Sequence, residues 1–202
     1  MSAVHVVIAT RNPHKVQELR QLLRLPEVRW QALAQLTDAP AVAETGRSFT
    51  ANAIRKAIAA ARATGHLALA DDSGIEVKAL RWGPGIRSAR FAGRHGNDHA
   101  NNQKLLHRLV DVPESQRQAR YRCALALADS RRVIAVTHGT WTGRIARQPA
   151  GRAGFGYDPL FVVPGLGKTV AQLPMRVKQQ LSHRAQAARR MRPILQRILR
   201  GD

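Results

Sequence analysis

Acidic residues are scarce in this chain. Its 202 residues include 13 Asp and Glu against 33 Lys and Arg, a formal net charge of +20 at pH 7. Such a surface predicts attraction to polyanions: nucleic acid, nucleotides or an anionic membrane. Cysteine is scarcer still. The single Cys123 excludes an internal disulfide, and its place in the apolar run Cys123 to Ala128 predicts a buried, unreactive thiol. Long hydrophobic runs are missing too, and none approaches the ~20 residues that a membrane-spanning helix needs. The opening residues, Met1 to Thr10, lack the basic flank and cleavage pattern of a signal peptide, so Val4 to Ala9 reads as a buried strand. These absences predict a cytoplasmic protein with no membrane partner. A hydrophobic fraction of 44% is ordinary for a globular protein, so a folded chain is the expectation. Aromatic residues make up only 4%, so each one inside a motif carries weight.

What is present alternates between helix and strand periods. After the strand Val4 to Ala9, Asn12 is an N-cap with Pro13 at the first helical position, and Val16, Leu19, Leu22 and Leu23 share a helical face. A strand is expected near Val28 to Leu33 and a helix from Ser48 to Thr64 ending at Gly65. Strands follow at Leu67 to Ala70 and around Ile75 to Val77, with a turn at Gly83-Pro84-Gly85. A third helix fits Asp98 to Val110. A hairpin fits Ala119 to Ala128 and Val133 to Ile145, and a short strand fits Leu160 to Val163. A basic amphipathic helix closes the chain from about His183 to Leu199. No repeat, low-complexity tract or linker divides residues 1–202, which read as one α/β domain with a mixed sheet, long enough for two small lobes.

Five segments carry groups suited to chemistry. The adjacent pair Asp71-Asp72 follows an apolar strand, where two carboxylates repel each other and lose hydration. A metal site, a proton transfer or a strand-ending Asx turn would each account for the pair. If the strand continues, their side chains point to opposite faces, so one is central to a site and the other supports it. Thr10-Arg11-Asn12-Pro-His-Lys15 lies at a strand-to-helix turn, where free N–H groups suit phosphate. Glu44 to Phe49 precedes the second helix, which sets Asn52 and Lys56 one turn apart; Glu44 is placed to help the aspartate pair hold Mg²⁺, an oxygen-seeking ion. Gly154 to Pro159 places Phe155 and Tyr157 among glycines, an arrangement suited to stacking on a base or to plugging a core. Lys178 and Ser182-His183-Arg184 present donors at the start of the last helix.

Taken together and in order, these segments resemble the inosine triphosphate pyrophosphatase family. Thr10, Asn12 and Lys15 meet its Thr/Ser-x-Asn-x-x-Lys pattern, and Glu44, Gly46, Phe49, Asn52, Ala53 and Lys56 meet the second. Asp71 to Gly74, Pro84-Gly85 and Ser88 to Arg90 meet the third, Gly154 to Pro159 the fourth, and Lys178 with Ser182 to Arg184 the fifth. Ala43, Gln172 and Gln179 depart from residues common in the family.

The resemblance implies a homodimer of two-lobed subunits, each a mixed β-sheet with flanking helices and a central nucleotide-binding cleft. It implies Mg²⁺-dependent hydrolysis of ITP, dITP and XTP to the monophosphate and pyrophosphate, clearing deaminated purines from the nucleotide pool. By the same resemblance Asp72 activates water and binds Mg²⁺, with Asp71 and Glu44 as further metal ligands. Thr10, Arg11, Asn12, Lys15, Lys56, Ser73 and Arg90 hold the phosphates. Phe155, Gly156, Tyr157, Asp158 and Lys178 form the base pocket, where His183 and Arg184 donate to a 6-oxo group that adenine lacks.

Two other readings fail on their own terms. Leu160 to Thr169 looks like a P-loop after a strand, but Val162 stands where the first Gly belongs and Pro174 interrupts the required helix. Specific nucleic-acid binding, suggested by the charge, lacks a helix-turn-helix, zinc spacing or RNP-type aromatic run.

Overall fold

The computed structural model describes residues 4–36 and 42–200. Strand β1 (Val4–Ile8) leads to helix α1 (Pro13–Leu22), β2 (Val28–Ala32), α2 (Phe49–Thr64) and β3 (Leu67–Val77). Then come β4 (Gly83–Pro84), α3 (Asp98–Arg108), β5 (Gln118–Ala128), β6 (Val133–Ile145), β7 (Phe161–Val162), α4 (Met175–Leu181) and α5 (His183–Arg200). The strands form one seven-stranded sheet in the order β2-β1-β3-β5-β6-β7, with β4 paired to β3. The sheet is mixed: β1 runs parallel to β2 and to β3, whereas β4 and β7 pair antiparallel with β3 and β6. The fold is therefore α/β with flanking helices.

Local chemistry explains the boundaries that position the site. The Asn12 side chain accepts from the backbone N–H groups of His14 and Lys15, with Pro13 at the first helical position, which satisfies donors that a helix start leaves open. Ser48 caps α2 by accepting from Ala51 N–H, and α2 ends at Gly65 in the left-handed conformation, φ 70°, where a Cβ would be strained.

The chain divides into two compact units. The first comprises Met1–Asp72, Cys123–Gly139 and His183–Asp202. One face of its sheet buries Val6, Ile8, Leu69, Leu125 and Leu127 against Leu19 and Leu23 of α1 and Met191 and Leu195 of α5. Side-chain alternation turns Ala68 and Ala70 the other way, the face on which Ala53, Ala57 and Ala60 of α2 are buried; small residues on both elements allow a close approach. The second unit comprises Ser73–Arg122 and Thr140–Ser182, and its core gathers Ile75, Val77, Leu105, Leu109, Tyr121, Trp141, Ile145 and Phe161. Each fully buried Leu or Phe contributes ~1.5–3 kcal/mol.

Two expectations are corrected. Strand β3 does not end at Ala70; it runs unbroken through Asp71 and Asp72 to Val77, so the Asx-turn reading falls, because the sheet pairing outweighs the local turn preference of Asp-Ser-Gly. Helix α4 has no counterpart in the sequence reading. Pro174 sits at its N-cap, where the missing N–H costs nothing, so the proline that breaks a P-loop instead starts a helix.

Candidate active site

Two polar groups, one in each unit, take up most of the residues singled out from the sequence. In the first unit, alternation along β3 sends Asp71 and Asp72 into different surroundings. Asp71 is fully buried. Its Oδ1 lies 2.5 Å from Lys15 Nζ on α1. Its Oδ2 accepts from Arg184 Nε of α5 at 2.9 Å and from the Cys123 thiol at 3.1 Å. Arg184 is 2% exposed and donates through its other arm to Glu18 Oε2 at 2.5 Å. Burial opposes ionisation of Asp71, but Arg184 and Lys15 outweigh it and hold the carboxyl well below its ordinary pKa. Burial likewise opposes the charge on Arg184, and Asp71 and Glu18 overcome it, raising its pKa. Burial, reinforced by Asp71, pushes the Cys123 thiol well up, so it stays an unreactive thiol as expected.

Asp72 faces α2. Its Oδ1 accepts from Lys56 Nζ at 2.6 Å and its Oδ2 from Asn52 Nδ2 at 3.2 Å. Lys56 also donates to Glu44 Oε1 at 3.2 Å and to the Asp71 carbonyl at 2.8 Å. Asn52 is held in turn by Gly46 N–H, which donates to its Oδ1 at 2.8 Å. A Cβ on Gly46 would sit 2.5 Å from that oxygen, so any side chain there would push Asn52 aside. Burial raises the pKa of Asp72, and Lys56 and Lys15 do not fully offset it, while Glu44 adds repulsion. Lys56 loses hydration as well, but Asp72 and Glu44 outweigh that and raise its pKa. The outcome is a lysine that stays charged beside a carboxylate that takes up a proton more readily than usual, a property suited to a general base.

Thr10, Arg11, Asn12 and Lys15 lie together at the β1–α1 turn. Thr10 Oγ1 accepts from Asn12 N–H at 3.2 Å, and the start of α1 adds its positive dipole end. Of the expected metal ligands, Asp72 and Glu44 share Lys56 as a common partner, an arrangement that concentrates negative charge around one cation position. Magnesium needs only one or two protein carboxylates when phosphates complete its shell, so this pair fits such an ion. Asp71 does not, because both of its oxygens are engaged by cations. Among the described residues no group of three or more His, Cys, Asp or Glu forms a closed metal cage.

In the second unit Asp158 is the centre. Its Oδ2 accepts from Lys178 Nζ at 2.6 Å and from Phe155 N–H at 3.0 Å, and its Oδ1 accepts from the Tyr121 hydroxyl at 3.2 Å. Lys178 Nζ also lies 4.6 Å from the centre of the Phe155 ring. Gly154, at φ 81°, passes so close that a Cβ would fall 2.1 Å from Asp158 Oδ2. Helix α3 ties down the next residue: Gly156 N–H donates to Asp98 Oδ2 at 2.6 Å, and its carbonyl accepts from Asn102 Nδ2 at 2.9 Å. The Tyr157 ring is buried and its hydroxyl donates to the Ser88 carbonyl at 2.8 Å, so Tyr157 anchors the loop, whereas Phe155 is half-buried. Ser73 is half-buried on β3, and Arg90 ends the 3₁₀ turn Gly85–Arg90.

His183 begins α5 in the first unit and is 5% exposed. The backbone of α5 packs so tightly there that a Cβ on Gly139 would lie 1.9 Å from the His183 carbonyl oxygen. Its neighbour Arg184 departs from expectation: the sequence reading gives it to a purine base, whereas its guanidinium is engaged by two carboxylates inside the first unit. Glu18, Tyr121 and Asp98 are partners that the sequence leaves without a role. Glu18 is legible afterwards from its spacing three residues beyond Lys15 on one face of α1.

The chain is similar to known proteins over nearly its whole length. The model of the Ham1 family matches residues 6–194. The chain is 46% identical over 193 residues to a dITP/XTP pyrophosphatase of Desulforamulus reducens, covering 96% of each chain. It is 49% identical over 187 residues to the dITP/XTP pyrophosphatase of Shigella flexneri, covering 90% of this chain and 93% of that one. Among solved structures, a HAM1 protein from Coxiella burnetii superposes with a TM-score of 0.86 at 39% identity, covering 96% of this chain and 98% of that one.

Proposed function

The chain belongs to the Ham1 family, and from that membership we propose that it is a nucleoside triphosphate pyrophosphohydrolase acting on dITP, XTP and ITP. The observation that carries the mechanism is the contrast between the neighbouring carboxylates: Asp71 is locked by cations, whereas Asp72 has a raised pKa and its own ammonium partner. Water attacks the α-phosphorus in line, Asp72 takes its proton, and pyrophosphate leaves. Such transfers depend mainly on positioning and on neutralising charge. Lys15, Lys56 and the N-terminus of α1 supply positive charge toward the phosphates, and Asn52 fixes the direction of the Asp72 carboxylate.

Magnesium fits the reading through Asp72 and Glu44, where a bound ion would neutralise phosphate charge. In the second unit Phe155 supplies a face for the purine, and Lys178, held by Asp158, supplies a donor of the kind that a 6-oxo group accepts and adenine's 6-amino group does not. His183 remains the donor proposed for the base from α5, and Arg184 is reassigned to holding Asp71. A homodimer in the cytoplasm is part of the same reading, supported by family membership and by the buried thiol of Cys123. No helix among the described residues is long and apolar enough to cross a membrane.

The test is pyrophosphate release from ITP, dITP, XTP, GTP, ATP and dTTP, with Mg²⁺ and with chelator. Metal-dependent release from the first three, and little from the rest, is the expected result. Equal release from ATP would remove the base-selection reading, and no release from any of them by folded protein would remove the activity.

A further inference from the structure

The second unit contains a hollow whose chemistry the pyrophosphatase reading does not use. A cavity of about 510 Å³ is lined by Arg87, Arg90, Phe91, Lys104 and Arg108 together with the backbone at Gly83 and Gly93. An adjoining hollow of about 450 Å³ shares Gly83, Phe91 and Arg108 and adds Arg81. None of Asp158, Lys178 and Phe155 lines either hollow. Helix α3 separates them from that group. Asp98 and Asn102 bind the Gly156 loop, while Lys104 and Arg108 line the cavity. At about 100° per residue, Asn102 and Lys104 lie roughly 200° apart around the helix.

The charge in this hollow is one-sided. Between Lys78 and Arg108 the only carboxylate is Asp98, and its Oδ2 is turned to the loop. Among the described residues no ion pair engages Arg81, Arg87, Lys104 or Arg108. Lys104 Nζ instead donates to the Phe91 carbonyl at 2.6 Å and lies 4.8 Å from the centre of the Phe91 ring, which places its charge at the wall. Cations gathered around one cavity without a carboxylate repel each other, and an anion relieves that repulsion. Guanidinium groups match phosphate oxygens through paired N–H donors. The volume falls within the range of small-ligand pockets.

We propose that this hollow is a second anion site that binds a short condensed-phosphate chain, free or as the tail of a nucleotide. Arg90 lines this site. The inference stands on the geometry of the second unit and does not require the pyrophosphatase reading.

Calorimetric titration of the full chain with inorganic tripolyphosphate tests it, using Arg87→Ala/Arg108→Ala and, as a charge-matched control, Arg192→Ala/Arg197→Ala on the exposed face of α5. The pocket variant is expected to lose one saturable binding event, or to weaken it about tenfold or more, as the loss of charge-assisted hydrogen bonds implies. The control should shift affinity by less than about twofold, the scale of screened surface charge. Lys104→Ala alone gives a milder version of the pocket change should the double variant fold poorly. Titration with a non-hydrolysable nucleoside triphosphate analogue, read only through the binding event that the pocket variant loses, tells a free chain from a nucleotide tail: tighter binding than tripolyphosphate in that event assigns the nucleotide, and equal or weaker binding assigns the free chain. Equal losses in pocket and control variants would reduce the effect to the general positive field and overturn the proposal. Binding of a single-stranded oligonucleotide without any of tripolyphosphate would overturn it as well.

Discussion

The two sides of strand β3 treat the same side chain in opposite ways. On the α1 and α5 side, Asp71 meets Lys15, Arg184 and a thiol, has no exposed surface, and is held ionised. On the α2 side, Asp72 meets one ammonium and one amide, and burial raises its pKa. One covalent step along the backbone separates a carboxylate that fastens helices to the sheet from one that is free to exchange a proton. An acidic pair in a basic chain is thus two devices, and pairing by cations decides which is which.

Substitutions at each side should separate the devices. Asp72→Asn keeps an acceptor for Lys56, gives up the one for Asn52 and removes the base, so turnover of ITP should fall by about a thousandfold or more, within the reach of general-base catalysis added to charge placement, while the protein still unfolds cooperatively in urea. Asp71→Asn leaves buried Arg184 and half-buried Lys15 beside a neutral group. Stability should drop by about 3–5 kcal/mol, the cost of breaking a buried pair, read as a lower urea midpoint. Glu18→Gln removes one of the two charges on Arg184 and should cost less, about 1–3 kcal/mol. Gly46→Ala drives a methyl against Asn52 Oδ1, so its effect should appear in kcat, through a misdirected Asp72, more than in stability. The smallest change belongs to Cys123→Ala, about 1 kcal/mol for a small buried group.

Acid should divide the pair as well. The folded pKa of Asp71 is depressed, so the stability it contributes is present above its unfolded pKa and is lost as pH falls through the folded value. The folded pKa of Asp72 is raised, so its protonated form is favoured in the fold, and the activity that needs its ionised form should fall at a pH where stability still holds. An activity limb and an unfolding limb that coincide would contradict this division.

Much of this was legible in the sequence. The N-cap at Asn12, the helix ending at Gly65 and the hairpin of β5 and β6 follow from short-range signals, and their bounds agree within one residue or two. Alternation set Asp71 and Asp72 facing apart on the condition that the strand continues, as it does. Partner choice was not legible. Arg184 reads as a donor for a ligand because a sequence does not reveal that Glu18, more than 160 residues earlier, stands across from it in the fold. The continuation of β3 through Asp-Asp-Ser-Gly was hidden for a related reason: turn propensity is local, whereas the pairing that overrides it comes from strands far along the chain. Helix α4 was missed because a proline reads as a breaker until its N-cap position is seen.

The most direct test of the central claim is pyrophosphate release from ITP by Asp72→Asn and Asp71→Asn proteins, each with its urea unfolding curve measured in the same buffer. The account predicts a folded, nearly inactive Asp72→Asn protein and an Asp71→Asn protein whose main defect is stability. Near wild-type turnover by folded Asp72→Asn protein would contradict it.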